Sequence, residues 1–167
     1  YDKPKGKHAF DQAARLTKAA GGKVGISLSD PFCVDRHRGD FRTFVKELDF
    51  VIGNEHEWES LYQTDLSTAL ETAAAESGLV VCTRSGSDVV LVQGDEEAVV
   101  PVRRIQPVDT TGAGDQFAAG FLYGYATGRS LATSGRMGCL AAAEVISHIG
   151  PRPETDLKVL FQQEGLI

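Results

Sequence analysis

Residues 108–122 read VDTTGAGDQFAAGFL: two aspartates bracket a run of small residues, and an apolar stretch follows at once and continues through YGYA. That stretch predicts a helix over residues 115–127, approached through Gly112, Ala113 and Gly114. The amides of Ala113, Gly114 and Asp115 then fall among the first-turn donors that have no partner inside a helix. Small side chains leave such amides open to an oxyanion, and the helix dipole adds about half a positive charge there. An aspartate at this place competes with the anion unless it has a task of its own. It has one if Asp115 takes a proton from a hydroxyl that attacks phosphorus, while the amides and the dipole neutralise the transferring group. The plainer reading is a capped turn, since Asp and Thr are common before helices and Gly-Ala-Gly suits a bend. The residues alone leave both readings open.

Outward from this stretch, helix and strand signals alternate along the whole chain. Residues 8–22 carry apolar positions at helical spacing and end on a Gly pair, and residues 23–28 read as a strand. A loop around Pro31, a short helical stretch near 40–48 and a buried strand over 49–54 follow. EHEWESLYQ (55–63) and STALETAAAESG (67–78) read as helices, and LVVCT (79–83) as an apolar strand. Residues 88–102 carry β-branched runs broken by Gly94-Asp95-Glu96 and read as a hairpin. A further helical stretch over 130–149 stops at Gly150-Pro151. This alternation predicts an α/β fold, a mostly parallel sheet with helices on both faces. In such sheets ligands sit beyond the carboxyl ends of the strands, which puts the loops after Leu28, Ile52 and Thr83 on one rim.

Composition narrows the function classes. With 167 residues, 42% hydrophobic and 24% charged, the chain suits one globular domain. A net charge of -6 argues against nucleic acid or an acidic membrane as a partner, and the basic clusters at Arg36–Arg38 and Arg103–Arg104 are too short to reverse it. No run approaches the length of a membrane span, and the first residues lack the charged-then-apolar order of a signal peptide, so a soluble, cytoplasmic protein is expected. Cys33, Cys82 and Cys139 are odd in number and far apart, as in a reducing compartment. Cys33 and His37 form a C-x-x-x-H without a second pair, which argues against zinc. There is no G-x-x-x-x-G-K-[ST] run and no G-x-S-x-G elbow, so neither a P-loop nucleotidase nor a serine hydrolase is indicated. Trp58 and Tyr62, at i and i+4, read as a packing pair. The chain begins at Tyr1, as a processed product or a piece of something larger would.

VDTTGAGDQFAAGFL resembles the carboxyl-terminal signature of the ribokinase-like (PfkB) carbohydrate kinases. SLSDPF (27–32), NEHE (54–57), TRS (83–85) and CLAAAEVISHIGPRP (139–153) are similar to the adenosine-kinase-like branch. The resemblance implies a Rossmann-like three-layer fold and transfer of a phosphoryl group from ATP to a hydroxyl of a small-molecule sugar or nucleoside. It makes Asp115 the base and Gly112, Ala113 and Gly114 the anion hole. Asn54 and Glu57, in the family's Asn-x-x-Glu, would serve magnesium through water; an N-cap with a solvated first turn explains the pair equally. Thr83, Ser85 and Gly86 would lie beside the nucleotide, and Cys139, Ala142 and Ala143 beside its adenine, although small apolar residues at that spacing also serve plain packing. Here the chain departs from the family, which usually has glycines two and five residues after this threonine, where Ser85 and Asp88 stand. Asp109, Thr111, Ser147 and Gly150 resemble the region where some members bind potassium; Asp109 equally suits a turn cap.

The likeness covers only the carboxyl-terminal portion of the family, whose members are about twice as long. The amino-terminal half, with its sugar-binding aspartate, glycine-rich loops and β lid, is expected to be missing, and the sheet to be incomplete on that side. An edge left so would be covered by a further copy or by the missing half. Two expectations follow: the catalytic part of a sugar or nucleoside kinase, inactive as an isolated piece, or a noncatalytic nucleotide-binding or association module that keeps the anion hole.

Overall fold

The β-branched runs become five strands in the computed structural model, which describes residues 1–167: β1 (Gly25–Ser27), β2 (Phe50–Asn54), β3 (Val80–Arg84), β4 (Ser87–Gln93) and β5 (Glu96–Val100), hydrogen-bonded side by side in chain order. β1 runs parallel to β2, with Ile26 opposite Val51. Between β2 and β3, Gly78 N donates to Leu48 O at 3.3 Å and Val51 N to Leu79 O at 2.8 Å. These bonds advance in the same sense along both segments, so this pair is parallel too. β3 turns directly into β4 through Ser85 and Gly86, both at positive φ (32° and 88°), the backbone a two-residue hairpin requires. The sheet is therefore mixed: parallel over its first three strands, then an antiparallel meander. TRSGSD, read from sequence as a loop, is this hairpin.

Eight helices complete the α/β fold: α1 (Pro4–Ala19), α2 (Pro31–Arg36), α3 (Arg38–Phe44), α4 (Glu55–Tyr62), α5 (Leu66–Glu76), α6 (Ala113–Ala126), α7 (Leu131–Val145) and α8 (Leu157–Gln163). α2 stands where a loop was expected. Asp30 caps it by accepting from Phe32 N at 2.9 Å, and Pro31 occupies the first position, where no amide donor is needed. α6 starts two residues earlier than its apolar run suggested, and α7 ends before the Gly-Pro stop, leaving residues 146–156 irregular. No helix is long and apolar enough to cross a membrane.

The chain divides into two compact units, residues 1–82 with 92–97 and residues 83–91 with 98–167. In the first, Val34, Val51, Trp58, Ala73, Val80 and Val81 are fully buried, and the Trp58 indole donates to Val81 O at 3.3 Å. The expected Trp58–Tyr62 pair forms, with ring centroids 6.2 Å apart. In the second, α6 and α7 approach so closely that a Cβ on Gly120 would stand 2.5 Å from Met137 O. Phe161 and Leu166, in and just after α8, close over Met137 and Ala141.

Candidate functional site

The turn into α6 is built on Gly112, which caps the helix with φ 81°. A side chain is excluded there twice. The backbone is left-handed, and a Cβ would lie 2.8 Å from Pro151 Cβ and 3.1 Å from its Cα. Gly112 O accepts from Gln116 N at 2.9 Å, and Ala113 N donates to Thr110 O at 3.2 Å. Of the three amides expected to be open, that of Ala113 is thus engaged within the turn. Those of Gly114 and Asp115 take no acceptor from the chain. A Cβ on Gly114 would meet nothing within 4 Å, so a side chain could be accommodated at this position. The Asp115 side chain is exposed and makes no hydrogen bond or ion pair.

This turn is held from behind by the segment after α7, within the same unit. Asp109 Oδ1 accepts from Thr111 N at 2.9 Å and Oδ2 from Gly150 N at 2.9 Å. Hydrogen bonds from the Thr111 side chain and amide, and from the Gly150 amide, hold the Asp109 carboxyl below the usual carboxylate range. Val108 N donates to Ile146 O at 2.8 Å, and Gln116 Nε2 to Pro151 O at 3.3 Å. The segment is itself gathered by Glu144, whose carboxylate accepts from the amides of Glu154 and Thr155 at 2.9 and 2.7 Å. Of the four residues of the potassium reading, Asp109, Thr111 and Gly150 meet through the Asp109 carboxylate, which acts as a turn cap. Ser147 instead donates its hydroxyl to Glu144 O at 2.6 Å. The roles of Glu144, Gln116 and Pro151 escaped the sequence reading, because each acts through backbone groups distant in the chain.

Asn54 and Glu57 form a reciprocal cap at the start of α4, in the other unit. Glu57 N donates to Asn54 Oδ1 at 3.0 Å, Asn54 N to Glu57 Oε2 at 2.8 Å, and Asn54 Nδ2 to Glu57 Oε1 at 2.9 Å. The cap of the alternative reading is thus present, and within its first turn Glu57 is only 4% exposed while His56 stands in solvent. Burial pushes its carboxyl up, against the pull of the Asn54 amide and with the help of the nearby Asp30 charge. Both carboxylate oxygens are occupied but keep further lone pairs. The pair therefore fits contact with a hydrated magnesium ion through its waters better than direct ligation.

The residues expected beside a nucleotide also have definite places. Thr83 lies half-buried on β3, and Ser85 and Gly86 are exposed at the hairpin tip, where Arg84 Nε donates to Asp88 O at 2.7 Å. Cys139, Ala142 and Ala143 lie partly exposed on α7. Burial, and then the charge of Asp88, push the Cys139 thiol up to about 11. Asp88, the residue by which this loop departs from the resemblance, thus acts electrostatically at the α7 face that carries these residues.

The comparisons with known proteins agree with one another. The model of the pfkB family carbohydrate kinases matches residues 3–157. An uncharacterized sugar kinase of Archaeoglobus fulgidus is 37% identical over 119 residues, 71% of this chain and 48% of that protein. A probable sugar kinase from Rhizobium etli superposes with a TM-score of 0.96 at 46% identity, over 99% of this chain and 52% of that one. The adenosine kinase from Sinorhizobium meliloti does so with a TM-score of 0.94 at 42% identity, over 98% and 51%. The chain spans about half the length of the curated relatives it matches.

Proposed function

The chain belongs to the pfkB family of carbohydrate kinases, and on that premise we propose that it is the nucleotide-binding and catalytic part of an ATP-dependent phosphotransferase whose acceptor is a hydroxyl of a small-molecule sugar or nucleoside. The observation that carries this is the first turn of α6, where two unengaged amides stand beside an unpartnered carboxylate and Gly114 has no side chain to cover them. Similarity to an adenosine kinase and to sugar kinases supports the acceptor class.

Asp115 removes the proton of the acceptor hydroxyl as its oxygen bonds to the γ-phosphorus of ATP and the bond from that phosphorus to the bridging oxygen breaks, releasing ADP. The Gly114 and Asp115 amides, with the dipole of α6, take up the charge on the transferring group. Gly112 makes this turn possible, and Asp109 keeps it seated on Gly150. Magnesium supplies charge neutralisation at the phosphates, and Asn54 and Glu57 would hold it through its waters. Thr83, Ser85, Gly86, Cys139, Ala142 and Ala143 line the nucleotide in this reading. Potassium near Asp109 is a further part of it, tested by comparing rates in potassium and sodium salts.

The deciding experiment follows ADP release with ATP, magnesium and a panel of adenosine, cytidine, ribose and fructose, using the longest natural form of the chain. Acceptor-dependent release that Asp115→Asn abolishes supports the kinase. ATP binding with no release on any acceptor overturns it in favour of the noncatalytic module.

A further inference from the structure

Three side chains with different donor atoms meet beside α2, and none of them has been given a part in phosphoryl transfer. They are Asp2, Cys33 and His37, whose ligand atoms all lie within 4.8 Å of one another. Cys33 and His37 stand at i and i+4 along α2 and its cap, so they share one face. The sequence shows only this pair and therefore argues against a metal. The fold supplies the third donor from 35 residues before His37, with Asp2 Oδ1 2.7 Å from His37 Nε2.

Asp2 is brought there by packing that does not depend on the three ligands alone. The Tyr1 ring stacks on Phe41 with centroids 4.7 Å apart and meets Phe10 edge-on at 5.4 Å. A tetrahedral zinc ion with nitrogen, oxygen and sulfur donors needs ligand atoms about 3.3–3.8 Å apart, so side-chain rotations must open the 2.7 Å Asp2–His37 contact and bring the whole set, now within 4.8 Å, to that spacing. Arg36 marks what such an ion must compete with: its Nε and terminal nitrogen reach Asp2 Oδ1 and Oδ2 at 3.2 and 3.0 Å.

We propose that Asp2, Cys33 and His37 form a binding site for a zinc-class divalent cation, with water completing the tetrahedron. On binding, Cys33 loses its thiol proton to solvent and its sulfur bonds to the metal, which sheds waters in exchange. His37 binds through Nε2 as the neutral ring. A mixed sulfur, nitrogen and oxygen set selects zinc or cobalt over magnesium or calcium.

Titration of the reduced 167-residue chain with cobalt tests this, read by the thiolate-to-cobalt charge-transfer band and by its displacement with zinc. One ion per chain is expected, with the band lost in Cys33→Ser and affinity reduced at least tenfold in both His37→Ala and Asp2→Asn. Arg36→Met should tighten binding, because it frees the Asp2 carboxylate. The absence of a thiolate band, its survival in Cys33→Ser, or unchanged affinity in Asp2→Asn overturns the three-ligand site. Should Cys33→Ser not fold, the alkylation rate of Cys33 in the wild-type chain decides instead: protection by zinc supports the site, and an unchanged rate overturns it.

Discussion

Asp115 is an exposed carboxylate in the first turn of a helix with nothing in the chain to hold it. A residue so placed contributes little to folding, and its replacement is a clean test of chemistry. Asp115→Asn should leave nucleotide binding and the melting temperature nearly unchanged while turnover falls about 10²–10⁴-fold, the usual worth of a general base. Coupled ADP release and nucleotide titration measure the two separately. The neighbouring glycines separate strain from approach. At Gly112 a side chain meets both a left-handed backbone and Pro151, so Gly112→Ala should cost about 1–3 kcal/mol in denaturant unfolding as well as activity. At Gly114 the space is clear, so Gly114→Val should fold and bind nucleotide yet lose transfer. Transfer at the wild-type rate in a folded Gly114→Val would count against the anion hole.

Two carboxylates organise their elements with opposite titration signs. Glu57 closes the cap of α4 from a buried position and is raised, so the folded chain binds its proton more tightly than the unfolded chain does. Its contribution to stability is greatest below the ordinary glutamate range near 4.5 and declines as pH rises through the folded value. Asp109 is lowered, so its contribution is present above the ordinary 3.8 and is lost as pH falls through the folded value. Melting curves collected against pH should therefore lose part of their acid-side fall in Asp109→Asn, whose amide nitrogen cannot accept from Gly150 N. Glu57→Gln should remove the opposite slope. Its amide would also set one donor against Asn54 Nδ2, weakening a cap worth about 0.5–2 kcal/mol. In the active protein it should raise the magnesium concentration needed for half-maximal rate; an unchanged magnesium titration would leave Glu57 with capping alone.

At the scale of the whole molecule, β1 contributes only Gly25–Ser27 to the sheet and pairs on one side alone, with β2. Large apolar side chains also stand exposed, among them Phe32 at 74% and Ile149 at 82%. An unpaired strand edge and uncovered apolar groups both favour association. Asp115 accepts a proton only from a hydroxyl held within about 3 Å. The 167-residue chain by itself is expected to bind ATP weakly, to self-associate, and to release no ADP in response to adenosine, ribose or fructose. Light scattering against the 17.9 kDa of one chain, run beside the ADP assay, checks this. Acceptor-dependent release from a 17.9 kDa species would mean that this chain holds an acceptor site of its own.

What the sequence determined by itself is what depends on neighbours in the chain. The alternation of apolar runs and breakers was enough for the α/β class and for most strands and helices, because hydrophobic periodicity and turn residues act over a few positions. The DTTGAGD run marked the turn into α6 for the same reason, since a glycine cap and first-turn amides are local features. Local signals failed where two meanings share one residue. Pro31 reads as a loop breaker and is a first helical residue once Asp30 caps it, and TRSGSD reads as a loop although Ser85 and Gly86 adopt hairpin angles. Tertiary structure alone decided which carboxylate does what. Burial, set by the packing around α4, turned Glu57 from a solvated surface charge into a closed cap. Contact with Gly150, 41 residues away in the chain, made Asp109 the clamp of the turn. Placing Asp2 beside Cys33 and His37 likewise needed the aromatic packing of Tyr1. Such roles rest on distances between residues remote in sequence, and no spacing along the chain encodes them.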